Sequence, residues 1–304
     1  MAALGIDVGG SAIKSVVLSS DGYVVRSAVP TPADPVSLLD AVVACAAAWE
    51  DDGPVGVALP GVYDRRTDRV LLLPNVTGDW SRLDVRGEIA ARTGRNIVVC
   101  NDARAFAQAE HCRGAAAGVS DALFVVLGTG VGGAVLSGGR LSLGWQDRAG
   151  EIGHICVDPS GPACGCGAHG CLETYIGAAG LVARTREALA AAGRADPAGV
   201  PTNELTAPAI LRAAQSGDPV AGAVVAAAVA ALARGLGAAV GVTAPEMVVL
   251  GGGLAAGLTP WLDGFAATVQ AYARLAATPT VVLARHGRYA GAVGAALWAE
   301  RPPV

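Results

Sequence analysis

Three times along the chain a short run of apolar residues ends in a cluster of glycines: ALGIDVGG (3–10), LFVVLGTGVGG (123–133) and MVVLGGG (247–253). An apolar run of this length bounded by turn residues reads as a buried strand. The first two runs continue alike, through IKSVVLSSDG and AVLSGGR, so each reads as a β-hairpin with a glycine turn. Between them the apolar spacing becomes helical. DPVSLLDAVVACAAAWEDD (34–52) opens with an Asp-Pro start signal, and the helical RLDVRGEIAART (82–93) precedes NIVVC (96–100), a strand that runs into helix at NDARAFAQAEH. Strands alternating with helices predict an α/β fold. VAGAVVAAAVAALA (220–233), which stops at Arg234, reads as a buried helix because it is too short and too alanine-rich for a membrane span. GRADPAGVPTNELTAP (193–208) reads as a loop and DRRTDR (64–69) as a solvated hairpin turn.

Length and composition narrow the class. The 304 residues are enough for one large domain or two moderate ones, and two lobes are expected. A net charge of −4 offers no global basic field, which argues against nucleic acid as a partner. The start, MAALGIDVGG, has no basic n-region before its strand, so a cytoplasmic protein without a membrane anchor is expected. Cys45, Cys100, Cys112 and Cys156 are scattered and are expected as buried small hydrophobes, and the isolated His111 and His286 as structural histidines.

Glycine permits close backbone approach, so each glycine cluster can turn N–H groups toward a phosphate or nucleotide. Three such turns point to one ligand held from several sides. GTGVGG (128–133) satisfies the dinucleotide pattern G-x-G-x-x-G, but a strand stands where that motif needs a helix. GGSAIKS fails the P-loop pattern, because Ile13 stands where a glycine must precede the lysine. A hairpin clamp on phosphates is left. Asp7, beside Gly9 and Gly10, suits Mg²⁺ held through water, its plainer role being a turn aspartate.

The segment HICVDPSGPACGCGAHGCLE (154–173) holds three further cysteines. His154, Cys164, Cys166 and Cys171 form the closed one-histidine, three-cysteine set of a structural Zn²⁺ site, and a Cys-x-Cys pair rarely has disulfide geometry. His169 is expected to face solvent. Glu151 and Glu173 flank the set, so a zinc ion would fix two carboxylates and an imidazole relative to one another. That arrangement suits the hydroxyls of a sugar ring, and exposed loop glutamates are the bland alternative.

With these residues assembled, the chain resembles the ROK family of bacterial sugar kinases and sugar-responsive repressors, in its zinc-containing branch. GIDVGGS, PGVYD, NDA, LGTGVGG, AGEIGH, CGCGAHGCLE and VLGGG occur in the family's order and span nearly the whole chain. The resemblance implies the actin-like ATPase fold (a duplicated ribonuclease H-like α/β fold), with two lobes around a cleft, and usually a homodimer. The expected division is a small N-terminal lobe of residues 1–113 plus 291–304, to which the helix AGAVGAALWAE returns, and a large lobe of 114–290 carrying the zinc loop. By the same resemblance Asp102 is the catalytic base, while Asn101, Asp102, Glu151, His154, Glu173 and the backbone of Gly61 hold the sugar. Asp7, Gly9, Gly10, Ser11, Gly128, Thr129, Gly130, Gly132 and Gly133 bracket the phosphates of ATP and its Mg²⁺, and Gly251, Gly252 and Gly253 lie near the adenosine. Cys100, Ala12 and Arg104 depart from the family's common glutamate, lysine and asparagine. The implied activity is ATP-dependent phosphorylation of the 6-hydroxyl of glucose or a close analogue. Alternative acceptors are an amino sugar (kanosamine or N-acetylmannosamine) or a cyclitol, and the alternative of another class is a non-catalytic sugar-binding protein. The family's repressors carry a helix-turn-helix domain ahead of the first glycine turn; with six residues before Asp7, none is expected here.

Overall fold

The computed structural model describes residues 2–20, 22–72, 84–196 and 204–301; the start of the predicted helix at 82–83 and the centre of the predicted loop, 197–203, lie outside them. The chain forms two compact units.

The first unit comprises Met1–Gly118, Gly139–Ala149 and Ala284–Val304. Its strands β1 (Ala3–Val8), β2 (Ala12–Ser19), β3 (Gly22–Pro30), β4 (Val55–Leu59) and β7 (Ile97–Asn101) form one sheet in the order β3-β2-β1-β4-β7. β1 pairs antiparallel with β2 and parallel with β4, which pairs parallel with β7. β5 (Val62–Asp64) and β6 (Arg69–Leu72) make a separate hairpin. The helices are α1 (Pro35–Ala47), α2 (Val85–Thr93), α3 (Asp102–Arg113) and α9 (Ala290–Glu300), and a short strand, β10 (Arg140–Ser142), completes the unit.

Side chains alternate along β1, so its two faces have different tasks. Leu4, Ile6 and Val8 enter a core with Leu38, Leu39 and Val42 of α1. On the other face α9 lies directly on strand backbone: a methyl group at Gly5 would come within 1.9 Å of the Ala292 carbonyl oxygen, and one at Gly56 within 1.8 Å of that of Ala295. Small residues in both the strands and AGAVGAALWAE therefore permit the return of α9. The start of α1 follows its sequence signal, Asp34 accepting a hydrogen bond from Ser37 N (2.9 Å), and α2 starts at Val85, where Asp84 accepts from Gly87 N (2.8 Å).

The second unit comprises Val119–Gly138 and Gly150–Leu283. β8 (Ala122–Leu127), β9 (Val131–Ser137), β11 (Met247–Gly251) and β12 (Thr280–Leu283) run in the order β9-β8-β11-β12, with β8 antiparallel to β9 and parallel to β11. The glycine-turned hairpin thus occurs in both units, as the two similar sequence runs predict, and in each it is followed by two parallel strands. Helices α4 (Glu173–Ile176), α5 (Ala178–Ala191), α6 (Ala207–Gln215), α7 (Pro219–Thr243) and α8 (Phe265–Tyr272) complete it. α7 is the predicted apolar helix, but it continues through Arg234 and is 25 residues long. By length and composition it could cross a membrane; 61% of its most apolar window is buried, and Val225, Leu232, Leu236 and Val240 sit in the unit's core.

Three expectations change. Residues 139–149 and 284–290 fall in the first unit rather than with 114–290, because side chains of α3 tie them there: Arg104 binds carbonyls at 143–149, and the buried Glu110 carboxylate accepts from the backbone N–H groups of Arg285 and His286. Cys100 is buried, but Cys112 and Cys156 are exposed, so they fill no core. DRRTDR is a hairpin turn, yet it is not simply solvated: Arg65 pairs with Asp147 and Asp68 with Arg86.

Candidate active site

In the first unit the candidate residues gather at the C-terminal ends of parallel strands. Register places Asp7 beside Ala58, Ala58 beside Cys100, and Leu59 beside Asn101. Gly61 follows β4 with φ +80°, a conformation that favours glycine, and its carbonyl accepts a 2.9 Å hydrogen bond from Asn101 Nδ2. The other end of the same amide caps α3, Asn101 Oδ1 accepting from Arg104 N (3.1 Å). Asn101 therefore locks the Gly61 turn to the helix on which Asp102 is the first residue. Asp102 Oδ1 accepts from Ala103 N (2.8 Å) and Asn101 Nδ2 (3.2 Å), at a helix N-terminus that favours negative charge. The thiol of Cys100 is pushed far up, first by burial and then by the charges of Asp102 and Asp7.

Asp7 is buried, and burial raises its pKa while the charge and hydrogen bond of Lys14 oppose that shift. Lys14 is its antiparallel partner in register, with Nζ 3.1 Å from Asp7 Oδ2.

Arg104 is a second cation the motif reading leaves without a role. Its buried guanidinium reaches the carbonyl oxygens of Leu143 (3.5 Å), Ala149 (3.3 Å) and Asp147. Arg65 holds the Asp147 carboxylate through Nε (3.0 Å) and Nη2 (3.2 Å). The loop so held carries left-handed Gln146 and Asp147 (φ +53° and +54°) and the exposed Trp145. Arg104→Ala, which removes the buried guanidinium from those carbonyls, is expected to cost about 3 kcal/mol of stability. A urea midpoint with an unchanged slope measures it.

In the second unit two glycine clusters meet at neighbouring strand ends. β8 runs into Gly128–Gly130 and β11 into Gly251–Gly253, with Gly251 paired to Val126 and Leu254 N donating to Leu127 O (3.1 Å). Carbonyl oxygens of Gly128 and Thr129 accept from Ala178 N and Ala179 N, so this turn also anchors the start of α5. Gly132 and Gly133 lie within β9. Glu173 reaches over this turn: a methyl group at Gly130 would meet its Oε2 at 2.6 Å, so a side chain there would displace the carboxylate.

His154, Cys164, Cys166 and Cys171 offer four ligand atoms, all within 4.8 Å of one another. Cys164 Sγ is 3.6 Å from His154 Nδ1, and Cys166 Sγ is 3.6 Å from Cys171 Sγ. Ligands on a tetrahedral zinc ion stand about 3.5–3.8 Å apart, so the four residues fit that ion. Without metal, the Ala168 backbone N–H leads in holding the Cys166 thiol down to about 7, while burial pushes Cys164 and Cys171 up. Glu173 belongs to this cluster as much as to a sugar site: Oε1 accepts from Cys164 Sγ (3.0 Å) and lies 3.6 Å from His154 Nδ1. Glu151 is exposed, as is His169, which stays outside the ligand set.

Two α/β units, each with a hairpin and parallel strands ending in glycine turns, define the actin-like ATPase class. The ROK family matches residues 3–302, and the chain belongs to it. A glucokinase of Streptomyces coelicolor is 32% identical over 320 residues, covering 98% of both chains. An N-acetylmannosamine kinase of Escherichia fergusonii is 33% identical over 309 residues, covering 99% of both. The structure of a ROK family glucokinase from Streptomyces griseus, in complex with glucose and AMPPNP, is similar with a TM-score of 0.86 at 31% identity, covering 99% of this chain and 100% of that one.

Proposed function

We propose that this chain is an ATP-dependent sugar kinase that moves the γ-phosphoryl group of ATP to the 6-hydroxyl of glucose or a close analogue. The observation that carries the reading is the Gly61–Asn101–Asp102 assembly, which holds a carboxylate at the start of a helix, at the sheet end that also carries Asp7 of β1. Similarity to a glucokinase that binds glucose and AMPPNP supports it.

Asp102 accepts the hydroxyl proton as the sugar oxygen attacks the γ-phosphorus, and the bond from that phosphorus to the bridging oxygen of ADP breaks in line. Asn101, Glu151, His154 and the Gly61 backbone hold the other hydroxyls, with Glu173 contributing Oε2 while Oε1 faces Cys164. Backbone N–H groups from Gly9 to Ser11 and from Gly128 to Gly133 hold phosphate oxygens, and Gly251–Gly253 border the adenosine. Asp7 fits the acceptor that Mg²⁺ needs through water, and that ion, when bound, spreads the charge of the transferring oxygens. Zinc in the His154–Cys171 cluster is structural, fixing His154 and Glu173. In keeping with the core position of α7, the reading keeps a cytoplasmic protein. It also keeps a homodimer, for which exposed Val242, Tyr272 and Leu275 offer apolar surface to a second copy.

A second reading, an amino sugar as acceptor, is favoured by the equal similarity of N-acetylmannosamine kinases. ADP release with MgATP and a panel of glucose, glucosamine, kanosamine, N-acetylmannosamine, N-acetylglucosamine and cyclitols separates them. Glucose is expected to give the highest kcat/KM. A higher value for an amino sugar or cyclitol selects that acceptor, and sugar binding without ADP release selects the non-catalytic alternative.

A further inference from the structure

Cys156 is the one cysteine of the segment 154–173 that the metal set leaves out, and it is exposed. Its backbone is nevertheless set against a ligand: Cys156 and Cys171 are antiparallel bridge partners at the neck of the cluster loop. Val157 N donates to Gly170 O (2.8 Å) and Leu172 N to Ile155 O (2.9 Å), so the two hydrogen bonds flank the pair and neither joins it. That is the pattern of a non-hydrogen-bonded pair, in which the Cα atoms stand about 4.5 Å apart and the side chains share one face, closer than in hydrogen-bonded pairs. A disulfide needs Cα atoms about 4.4–6.8 Å apart. The register of the bridge therefore suits a Cys156–Cys171 bond without movement of the backbone.

The two thiols differ in access. Cys171 is 0% exposed, and its Sγ lies 3.6 Å from Cys166 Sγ inside the ligand set. Cys156 faces solvent, so a small oxidant in water reaches it without opening the cluster. Cys166 is exposed too, but its sulfur is engaged whenever the metal is bound. An accessible thiol placed across a strand pair from a buried one is the arrangement of an oxidisable cysteine and its resolving partner. Packing gives cysteine no reason to stand at an exposed position, and this arrangement does.

We propose that Cys156 is a redox-reactive thiol that withdraws Cys171 from the metal: a hydroperoxide oxidises Cys156, and a Cys156–Cys171 disulfide replaces one metal–sulfur bond. In the first step the Cys156 thiolate attacks a peroxide oxygen, the O–O bond breaks, and a sulfenic acid forms with release of an alcohol, or of water from hydrogen peroxide. In the second, Cys171 leaves the metal as a thiolate and attacks the Cys156 sulfur. The S–S bond forms, the S–O bond breaks, and the departing hydroxide takes up a proton as water. The two thiols give two electrons in all to one hydroperoxide. His154, Cys164 and Cys166 are then three ligands where a closed site needs four, and zinc affinity falls. A dithiol reductant reverses the bond, as suits a compartment in which disulfides are transient.

The test uses the zinc-loaded full chain, treated with hydrogen peroxide while a zinc-binding dye reports free metal. Remaining thiols are then blocked and the chain is cut before Asp158, which separates Cys156 from the three ligand cysteines for mass spectrometry. A linked peptide joining Cys156 to Cys171, zinc released in step with it, and reversal of both by dithiothreitol with added zinc are expected. Cys156→Ser, a change at an exposed position, is expected to keep the zinc content and thermal midpoint of the wild type. At the same peroxide concentration it is expected to release zinc at least about tenfold more slowly. Equal release from Cys156→Ser overturns the proposal, as does a Cys166–Cys171 link in its place or a Cys156 carried to the sulfinic acid without any link. The metal reading fails separately. A wild-type chain that holds no zinc removes that reading, whereas a zinc-loaded chain that forms no Cys156–Cys171 bond removes only this proposal.

Discussion

Asp102→Asn is expected to lower kcat by at least about 10³-fold while the sugar dissociation constant changes less than about threefold. Asparagine keeps the shape of the side chain and an Oδ1 that can still accept from Ala103 N and Asn101 Nδ2, so α3 and the Gly61 turn are expected to hold. What it loses is the basic oxygen. An interaction needed only while the hydroxyl proton moves shows itself in kcat rather than in sugar affinity. ADP release at saturating substrate and calorimetric titration with sugar measure the two quantities. A variant with unchanged kcat contradicts the assignment, and one that no longer binds sugar shows a positioning role for Asp102 in place of a chemical one.

Cys166→Ser is expected to empty the metal cluster and lower the thermal midpoint by roughly 5 °C or more, since metal binding free energy is folding free energy. Cys166 is exposed, unlike Cys164 and Cys171, so the serine opens no cavity and the loss reports the metal alone. Elemental analysis is expected to find one zinc per wild-type chain and far less in the variant. Removing zinc from the wild type with a chelator is expected to reproduce the lower midpoint. Because Glu173 touches both Cys164 and His154, sugar affinity is expected to fall with the metal. A wild-type protein without zinc, or a variant that melts unchanged, removes the structural role of the ion.

The features legible in the sequence are those whose cause is local. The two glycine-turned hairpins show because an apolar strand and a glycine turn are written in consecutive residues. The four ligands of the cluster show because metal spacing is short in sequence, and Asp34 because a cap lies beside the helix it starts. The unread features depend on long-range contacts. Arg104 stands two residues from Asp102 in sequence, yet its partners are the carbonyls of residues 143, 147 and 149, which no spacing rule joins to it. The dual position of Glu173, against Gly130 and the cysteines at once, follows from packing of α4 on the second glycine turn. Lys14 is an intermediate case. It is the single lysine of the sequence, which composition shows, but only strand register puts it opposite Asp7.

The central claim is phosphoryl transfer from ATP to a primary sugar hydroxyl. Phosphorus NMR of MgATP with the best acceptor of the panel tests it in one spectrum. A new phosphomonoester signal, split into a triplet by two methylene protons and growing in step with ADP, is the predicted result. Inorganic phosphate as the sole product, or a phosphomonoester split by a single proton, contradicts it.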